Sequence, residues 1–325
     1  MATGNVSERV ARRVVVTGGA GFIGSHVVEA FLARDYEVVV IDDLSTGSER
    51  NVPPAAELER VDIVEATAVA RVFASFRPTV VCHLAAQASV TVSVHSPERD
   101  LQVNVSGTFN VLQEAQKGAA PVVFASTGGA LYGDNAPIPS PETTWAEPLA
   151  PYGASKLAGE AYVATWGRLH GVPNVVLRLG NVYGPRQSPH GEAGVVAIFS
   201  DRLRQGKAPL VFGDGRQTRD YIYVTDVASA FVLAAEGGQA ATFNVGWGRE
   251  VSVLDLLDVL QRAAPAEVEP SFEPLRTGEL TRSALDSTRL RQTLGWEPLV
   301  GLEEGLLATY QSYAGAETVD APEPV

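Results

Sequence analysis

The sequence predicts a doubly wound α/β fold, and two features of residues 13 to about 180 indicate that class. Short apolar runs rich in β-branched residues recur here, as expected of parallel strands that are buried on both faces. A helical pattern separates successive runs, and this alternation produces a parallel sheet covered by helices. The runs read RVVVT, EVVVID, LERVDI, TVVCHLA, PVVFAS and NVVLRLG, and the helical patterns include 24–33, 66–75, 97–116 and 152–170.

The chain after residue 180 is less regular and predicts a smaller second α/β domain. A loop rich in proline and glycine, NVYGPRQSPHGEAG, leads into a helix near 195–205, and further helices follow at 253–263 and 302–314. We expect residues 12–180 and about 221–246 to form the first domain, and residues 181–220 and 247–313 to form the second. Residues 314–325 are acidic and poor in large apolar side chains, which predicts a disordered tail.

Charge and residue usage exclude several classes of function. The net charge of −13 disfavours a nucleic-acid partner, because such proteins need clustered Lys and Arg. The single cysteine, Cys82, excludes an internal disulfide and lies in an apolar run typical of a buried structural thiol. The five histidines lack the spacing of a zinc site, so no metal is expected. No apolar stretch is long enough to span a membrane and no secretory signal is evident, so we expect a cytoplasmic protein without a membrane partner.

A glycine-rich segment, VTGGAGFIGSH, follows the first predicted strand and leads into a helix. Gly18 permits a tight turn, Gly21 lets the backbone approach a pyrophosphate, and Gly24 allows the helix to pack closely on the strand. The N-terminus of the helix offers free N–H groups to phosphates. The segment therefore predicts dinucleotide binding in a Rossmann-type domain.

Two acidic residues at predicted strand ends indicate which dinucleotide is bound. Asp42 follows Gly24 by 18 positions, close to the interval of about 20 residues at which an acid accepts hydrogen bonds from the adenosine ribose. Because a carboxylate repels a 2′-phosphate, NAD is favoured over NADP. Asp62, at the end of the third predicted strand, is a candidate for the adenine amino group.

The segment PYGASKLAGE carries a pair of residues suited to proton transfer. Tyr152 and Lys156 are four positions apart on a predicted helix and therefore lie on one face. A tyrosine is a weak base at its usual pKa of about 10, and a nearby ammonium group lowers that value. The pair is thus predicted to remove a proton from an alcohol or sugar hydroxyl.

Together these motifs resemble the extended short-chain dehydrogenase/reductase family. The resemblance rests on TGGAGFIG, YGASK and NVYGPRQ and extends from about residue 12 to 313. It implies that Tyr152 is the acid/base, that Lys156 also holds the nicotinamide ribose, and that Ser126 or Thr127 binds the reacting hydroxyl, with Thr127 favoured. The implied NAD contacts are Gly18, Gly21, Phe22, Ile23, Gly24, Asp42, Asp43, Leu44, Thr46, Gly47, Asp62, Ile63, Leu84, Ala85, Ala86, Gln87, Asn104, Ser126, Tyr152 and Lys156.

Within the family, STGGALYG and GDGRQTRDYIYVTDVA are most similar to the epimerases that interconvert UDP-galactose and UDP-glucose. The dehydratases of the family carry an Asp-Glu pair directly after the threonine, where this sequence has Gly128 and Gly129, so dehydration is disfavoured. Many epimerases have another serine in the same place, and its absence here leaves open which hydroxyl acts.

The same resemblance implies a set of substrate contacts. The diphosphate is expected to bind two arginines and one asparagine, the uridine ribose to bind an acid, and the uracil to lie in an apolar pocket. Ser283 falls where some epimerases have a bulky aromatic residue, which predicts room for N-acetylated sugars. The implied diphosphate contacts are Arg219, Arg276 and Asn181, and Arg186 is a weaker diphosphate candidate. Glu279 is the acid at the uridine ribose, and Val195 and Phe212 line the uracil pocket. Thr127 and Ser283 are the implied contacts of the sugar.

The function implied is NAD-dependent epimerisation of a UDP-hexose at C4 through a transient 4-keto sugar. The alternatives are epimerisation of UDP-N-acetylglucosamine, UDP-glucuronate or dTDP-glucose, a dehydratase, decarboxylase or net oxidoreductase, and a dinucleotide-sensing protein without turnover. The resemblance also implies a homodimer formed through helices near 104–116 and 152–167.

Overall fold

The computed structural model describes residues 12–190, 194–265, 267–274 and 280–314. Its strands are β1 (Arg13–Thr17), β2 (Glu37–Asp42), β3 (Glu57–Arg60), β4 (Val80–His83), β5 (Val122–Thr127), β6 (Val175–Leu179), β7 (Asn181–Tyr183), β8 (Leu210–Phe212), β9 (Thr218–Arg219), β10 (Tyr221–Tyr223), β11 (Ala241–Val245), β12 (Val251–Ser252) and β13 (Ser271–Glu273). Its helices are α1 (Phe22–Leu32), α2 (Ala66–Phe76), α3 (Val90–His95), α4 (Pro97–Leu101), α5 (Thr108–Lys117), α6 (Pro151–His170), α7 (Val195–Arg204), α8 (Val224–Glu236), α9 (Val253–Ala263), α10 (Thr288–Leu294) and α11 (Leu302–Ala314).

Seven parallel strands form the central sheet, in the order β3-β2-β1-β4-β5-β6-β11. This arrangement confirms the predicted doubly wound α/β class. Strand order reverses between β1 and β4, and ligands of such sheets bind outside the carboxyl ends of the strands at that point. Thr17, Asp42 and Thr127 are the last residues of β1, β2 and β5, so all three lie at this carboxyl edge.

The two faces of the sheet form separate apolar cores because alternate strand residues point to opposite sides. Val14 and Val16 belong to the core beneath α1 and α8, whereas Val15 belongs to the core beneath α2, α5 and α6. These valines are fully buried. β11 lies far along the chain but pairs with β6, and the preceding α8 packs on α1, so this late segment completes the sheet.

The remaining segments form a smaller unit around a third apolar core. α7, α9 and α11 pack together there, contributing Phe199, Leu256 and Leu306, each fully buried. The short strands pair as β7 with β10, β8 with β13, and β9 with β12. α9 begins with a capping box in which Ser252 and Asp255 exchange hydrogen bonds, which fixes its start.

Two predicted elements differ in the structure. The third strand ends at Arg60, and Asp62 lies beyond it because its carboxylate accepts the Val64 N–H at 2.9 Å and turns the chain. The predicted helix 97–116 is divided into α4, a π-helical stretch Gln102–Gly107, and α5. Thr108 Oγ1 donates to the Asn104 carbonyl at 2.7 Å, which occupies an acceptor of the regular helix at this point. In the described ranges, no helix combines the length and apolarity needed to cross a bilayer.

Candidate active site

The turn between β1 and α1 forms a cradle that side chains would fill. Gly18 has a φ of 72°, in the left-handed region that favours glycine. A Cβ on Gly18 would lie 2.7 Å from the Ala85 nitrogen, and one on Gly24 would overlap the Gly18 carbonyl oxygen. α1 begins at Phe22, and first-turn N–H groups of a helix are free to bind a phosphate. The cradle therefore fits a pyrophosphate.

Asp42 closes one side of this cradle. Its carboxylate accepts the N–H of Ala20 and that of Leu44, each at 2.9 Å, so it joins the glycine turn to the loop after β2. Burial raises the pKa of Asp42, and these two hydrogen bonds partly offset the effect. Each carboxylate oxygen retains a lone pair for a ribose hydroxyl. Gly47 lies next to it, since a Cβ there would be 3.0 Å from Asp42 Oδ1.

The other residues predicted to contact the adenosine lie in the loop after β2 and just beyond β3. Asp43 and Thr46 are exposed in the same loop, and Leu44 has a φ of 61°. Asp62 is half-buried, and the neighbouring Ile63 is buried against Gly107 of the π-helical stretch. Asp62 therefore remains available to an adenine amino group, although not from the end of a strand.

The loop after β4 continues the site towards β5. Leu84 and Ala85 are tied to Thr17 at the end of β1, through hydrogen bonds of 3.0 and 3.2 Å, and Ala86 is half-buried beside them. Gln87 donates its N–H to Asn104 Oδ1 at 2.8 Å and accepts from Asn104 Nδ2 at 2.9 Å. Asn104 therefore fixes the loop after β4, next to the place where the strand order reverses.

Tyr152 and Lys156 lie in the first turns of α6, which begins with Pro151 and ends before Gly171 in a left-handed conformation. Lys156 is 3% exposed, and its Nζ lies 4.4 Å from the centre of the Phe124 ring in β5. Burial lowers the pKa of Lys156 to about 8, although the carboxylates of Glu160 and Asp100 raise it.

The pKa of Tyr152 responds to its burial and to two neighbouring side chains. Burial and the Asp100 carboxylate raise this pKa to about 12, whereas the Thr127 side chain lowers it. The predicted effect of Lys156 on Tyr152 stays a prediction. Tyr152 is half-buried at the start of α6. A positive charge close to its phenol lowers the pKa and favours its action as a base near neutral pH.

The two candidate hydroxyls at the end of β5 have different partners. Ser126 Oγ donates to Glu160 Oε1 at 2.5 Å, so this hydroxyl is directed into α6. Thr127 Oγ1 instead accepts the Ala130 N–H at 3.2 Å, and the Thr127 side chain lies close enough to Tyr152 to lower the pKa of the phenol. Both residues are buried, at 4% and 9% exposure. This geometry favours Thr127 as the hydroxyl that assists Tyr152.

A buried ion pair behind Ser126 was not anticipated from the sequence. Arg178 in β6 contacts both oxygens of Glu160, at 2.7 Å and 3.0 Å, and both side chains are nearly inaccessible. Arg178 also donates to Tyr132 Oη at 2.9 Å, and that hydroxyl donates to Asn244 in β11. The sequence indicated only that Glu160, four residues after Lys156, lies on the same face of the helix. Nothing in the sequence indicated that Arg178 of β6 would be its partner.

His83 provides a second unanticipated polar contact. Its Nδ1 lies 2.6 Å from Thr17 Oγ1, and its Nε2 lies 2.9 Å from Thr108 Oγ1. Burial, together with the Lys156 ammonium, lowers the pKa of His83 to about 3, so the ring is neutral. His83 therefore connects β1 to α5 beneath the site and takes no part in proton exchange at neutral pH.

Three of the predicted substrate residues, Asn181, Arg219 and Ser283, lie at one junction, where β7, β9 and the segment around residue 283 meet. Asn181 in β7 lies beside the catalytic segment, since a Cβ on Gly129 would be 3.2 Å from Asn181 Oδ1. Ser283 donates its N–H to the Thr218 carbonyl at 3.2 Å, next to Arg219. Ser283 is 9% exposed, and Asn181 and Arg219 are half-buried.

The other predicted substrate residues belong to other elements of the fold or lie outside the described residues. Phe212 ends β8 and Val195 begins α7, and both are half-buried. Arg276 and Glu279 lie in the segment 275–279, outside the described residues. Arg186 donates instead to Ser25 Oγ at 3.0 Å and to the Glu29 carboxylate, so its guanidinium is bound to α1 rather than directed to a diphosphate. Among described residues, no cluster of His, Cys, Asp and Glu could hold a metal ion.

Comparisons with known proteins agree with this geometry. A UDP-glucose 4-epimerase of Mycolicibacterium smegmatis is 45% identical over 93% of this chain and 98% of its own length. A crystal structure of the Thermotoga maritima UDP-glucose 4-epimerase with UDP-glucose is 44% identical, with a TM-score of 0.91, covering 93% of this chain and 98% of that one. The Thermus thermophilus UDP-glucose 4-epimerase in complex with NAD is 45% identical, with a TM-score of 0.89, covering 94% of this chain and all of that one.

The glycine cradle, the carboxylate of Asp42 and these relatives identify NAD as the cofactor. The family model for NAD dependent epimerases and dehydratases matches residues 14–246. This span runs from β1 to the end of the central sheet. The chain belongs to the NAD dependent epimerase/dehydratase family.

Proposed function

We propose that the chain interconverts UDP-galactose and UDP-glucose by inverting C4 of the hexose. The observation that carries this proposal is the position of Thr127 at the carboxyl edge of the sheet, where its side chain lies close enough to Tyr152 to lower the pKa of that phenol. Tyr152 would serve as the acid/base group and Thr127 as the assisting hydroxyl, both beside the glycine cradle for NAD. The next two positions, Gly128 and Gly129, carry no acid that could expel water, which favours epimerisation over dehydration. The similarity to UDP-glucose 4-epimerases supports the same substrates.

In the proposed reaction, Tyr152 removes the proton from the C4 hydroxyl, and Thr127 donates a hydrogen bond to the same oxygen. When bound, NAD supplies a reversible hydride acceptor and, in its oxidised form, a positive charge, so that C4 can become a ketone and be reduced again without net oxidation. Lys156 adds a second positive charge and holds the ribose. Tyr152 returns the proton after the sugar has turned and presents its opposite face.

The nucleotide would remain fixed while the hexose turns. We propose that Arg219, Arg276 and Asn181 hold the diphosphate and that Glu279 binds the uridine ribose. Planar guanidinium groups suit phosphate oxygens, and a chain of net charge −13 must place such cations locally. Binding energy at the nucleotide would then hold the sugar near Tyr152 in both of its orientations.

The size of residue 283 favours a second candidate reaction, the epimerisation of UDP-N-acetylhexosamines. Ser283 is small and buried, and its N–H bonds to the Thr218 carbonyl next to Arg219. By the resemblance, it falls where some epimerases have a bulky aromatic residue, so an N-acetyl group would meet a smaller side chain here. A solved UDP-N-acetylglucosamine 4-epimerase from Methanobrevibacter ruminantium is 31% identical, with a TM-score of 0.88.

Chromatographic analysis of products from UDP-galactose and UDP-N-acetylgalactosamine tests both reactions. We expect UDP-glucose from the first and UDP-N-acetylglucosamine from the second, and neither from a Tyr152→Phe variant that still binds NAD. Turnover of UDP-galactose alone would remove the second candidate. Turnover that persists in Tyr152→Phe would remove the proposed role of this tyrosine.

We infer that the chain forms a homodimer through α5 and α6. Phe109, Tyr162 and Trp166 form an aromatic cluster between these helices, with the Phe109 and Trp166 ring centres 5.2 Å apart. On the outer surface, Tyr162 is 42% exposed and Leu169 is 67% exposed. Exposed apolar side chains on α6, beside the aromatic cluster that it shares with α5, suit packing against a second copy. Light scattering should give twice the chain mass, and a Tyr162→Asp variant should shift it towards the monomer.

We also propose that the chain acts in the cytoplasm without a nucleic-acid or membrane partner. The net charge of −13 repels phosphate backbones and anionic lipid surfaces. The free, buried Cys82 is compatible with a reducing compartment. Fractionation of the source cells should recover the protein in the cytoplasmic fraction.

A further inference from the structure

Asp220 lies where four segments of the chain meet. It is 1% exposed and follows Arg219 directly. Its own carbonyl accepts the N–H of Asn181 at 2.8 Å, where β10 begins to pair with β7. Its carboxylate is directed the other way, towards the loop after β11 and the segment that contains Ser283. A buried carboxylate needs several donors to remain ionised, and the contacts of Asp220 meet that requirement.

Backbone N–H groups surround this carboxylate. Oδ1 accepts the Trp247 N–H at 2.9 Å, and Oδ2 accepts the N–H groups of Gly248 and Leu285, each at 3.0 Å. Consecutive N–H groups that converge in this way form a nest for an anion. The chain fills the nest with its own carboxylate, which joins the 247–249 loop and Leu285 to the strand of Arg219.

The residues joined in this way carry the proposed nucleotide contacts. Asn181 is bonded to the backbone of Asp220, Arg219 is its neighbour, and Ser283 lies two positions before Leu285. We propose that Asp220 is a positioning residue for the nucleotide-diphosphate site, fixing Asn181, Arg219 and Ser283 relative to one another without touching the substrate. This inference rests on the proposed function, since it assumes that these three residues bind a nucleotide sugar.

Asp226 offers a matched control for this role. It is also buried, at 3% exposure, and its carboxylate accepts two backbone N–H groups, from Leu299 at 3.0 Å and Val300 at 3.1 Å. Its partners belong to the segment before α11 and include none of the proposed substrate contacts. Asp226→Asn therefore removes a comparable buried carboxylate without disturbing the junction at Asp220.

The test uses the purified, NAD-loaded full chain and UDP as the probe. For Asp220→Asn, we expect the dissociation constant of UDP and the KM for UDP-galactose to rise by about tenfold or more, because hydrogen bonds to a charged group are lost. We expect kcat to change by less than about threefold, since Tyr152 and Thr127 are held by β5 and α6. Bound NAD per chain should be unchanged. Asp226→Asn should lower Tm while leaving UDP affinity within about twofold.

Gly246→Ala keeps the proposal testable if Asp220→Asn does not fold. A Cβ on Gly246 would overlap Asp220 Oδ2, so this variant disturbs the same junction with every charge in place. It should weaken UDP binding in the same direction. Unchanged UDP affinity in the folded variants, or an equal loss in Asp226→Asn at the same drop in Tm, would overturn the proposal. Failure of the unaltered chain to bind UDP would instead overturn the proposed function.

Discussion

Replacing Ser126 and Thr127 one at a time separates two neighbouring hydroxyls that the sequence alone leaves open. Both side chains are buried at the end of β5. Ser126→Ala removes one hydroxyl, and Thr127→Ala removes one hydroxyl together with a methyl group. The Thr127 side chain lies close enough to Tyr152 to lower its pKa, whereas the Ser126 hydroxyl donates to Glu160 at 2.5 Å. The two substitutions are therefore expected to affect different properties of the protein.

The expected magnitudes follow from the charge of each partner. A hydrogen bond to a charged group contributes about 1.5–3 kcal/mol. If Thr127 stabilises the ionised Tyr152, Thr127→Ala should lower kcat by roughly 10- to 150-fold. Ser126→Ala should instead lower the free energy of unfolding by about 1–3 kcal/mol and change kcat by less than about threefold. Glu160 keeps both of its contacts with Arg178 in that variant.

Steady-state kinetics with UDP-galactose and urea denaturation of each variant provide the assay. Thr127→Ser serves as a control, because it restores a hydroxyl at the same place and should recover most of kcat. A fall in kcat for Ser126→Ala as large as that for Thr127→Ala would refute this assignment, because it would mean that Ser126 reaches the reacting oxygen.

Three further predictions concern the cradle, the core and the pH dependence of stability. Gly24→Ala should abolish bound NAD and destabilise the fold, because its Cβ would overlap the Gly18 carbonyl oxygen. The absorbance of cofactor extracted from the purified variant measures the loss of NAD. Full retention of NAD would contradict the described geometry of the turn. Cys82 should react with a thiol reagent only after unfolding, since it is fully buried and burial raises its pKa; rapid native labelling would contradict this. Burial raises the pKa of Asp220 from 3.8 to about 6, so its proton adds stability that is complete below pH 3.8 and lost as pH rises through about 6. Over that range the stability difference between the natural chain and Asp220→Asn should change by about 3 kcal/mol at most, and equal slopes in urea titrations would contradict the shift.

Local patterns predicted most of the sheet and the cofactor half of the site. Apolar β-branched runs marked β1 and β4 to β6, and the spacing of Gly18, Gly21 and Gly24 predicted the cradle, because both signals depend on residues close in sequence. The division of helix 97–116 was not predicted, since it depends on a side-chain bond from Thr108 to the Asn104 carbonyl.

Contacts between distant residues account for what the sequence could not indicate. Asp220 bonds to N–H groups 27 and 65 positions away, and Arg178 reaches Glu160 from another strand. The pKa of Tyr152 was expected to fall through Lys156, whereas burial and the Asp100 carboxylate, which the sequence does not place near it, raise this pKa in the folded chain. The pKa of a buried group depends on how far the fold excludes water from it and on which charges the fold places beside it. Neither is known before the fold is known.

A proton NMR time course of the purified chain with UDP-galactose and no added cofactor tests both the proposed epimerisation and the resident NAD. We expect UDP-glucose signals to appear and to stop growing at a fixed ratio to UDP-galactose, with NAD retained by the protein throughout. Absence of UDP-glucose from a folded, NAD-loaded sample would contradict the proposed substrates, and the same sample should then be tested with UDP-glucuronate and dTDP-glucose.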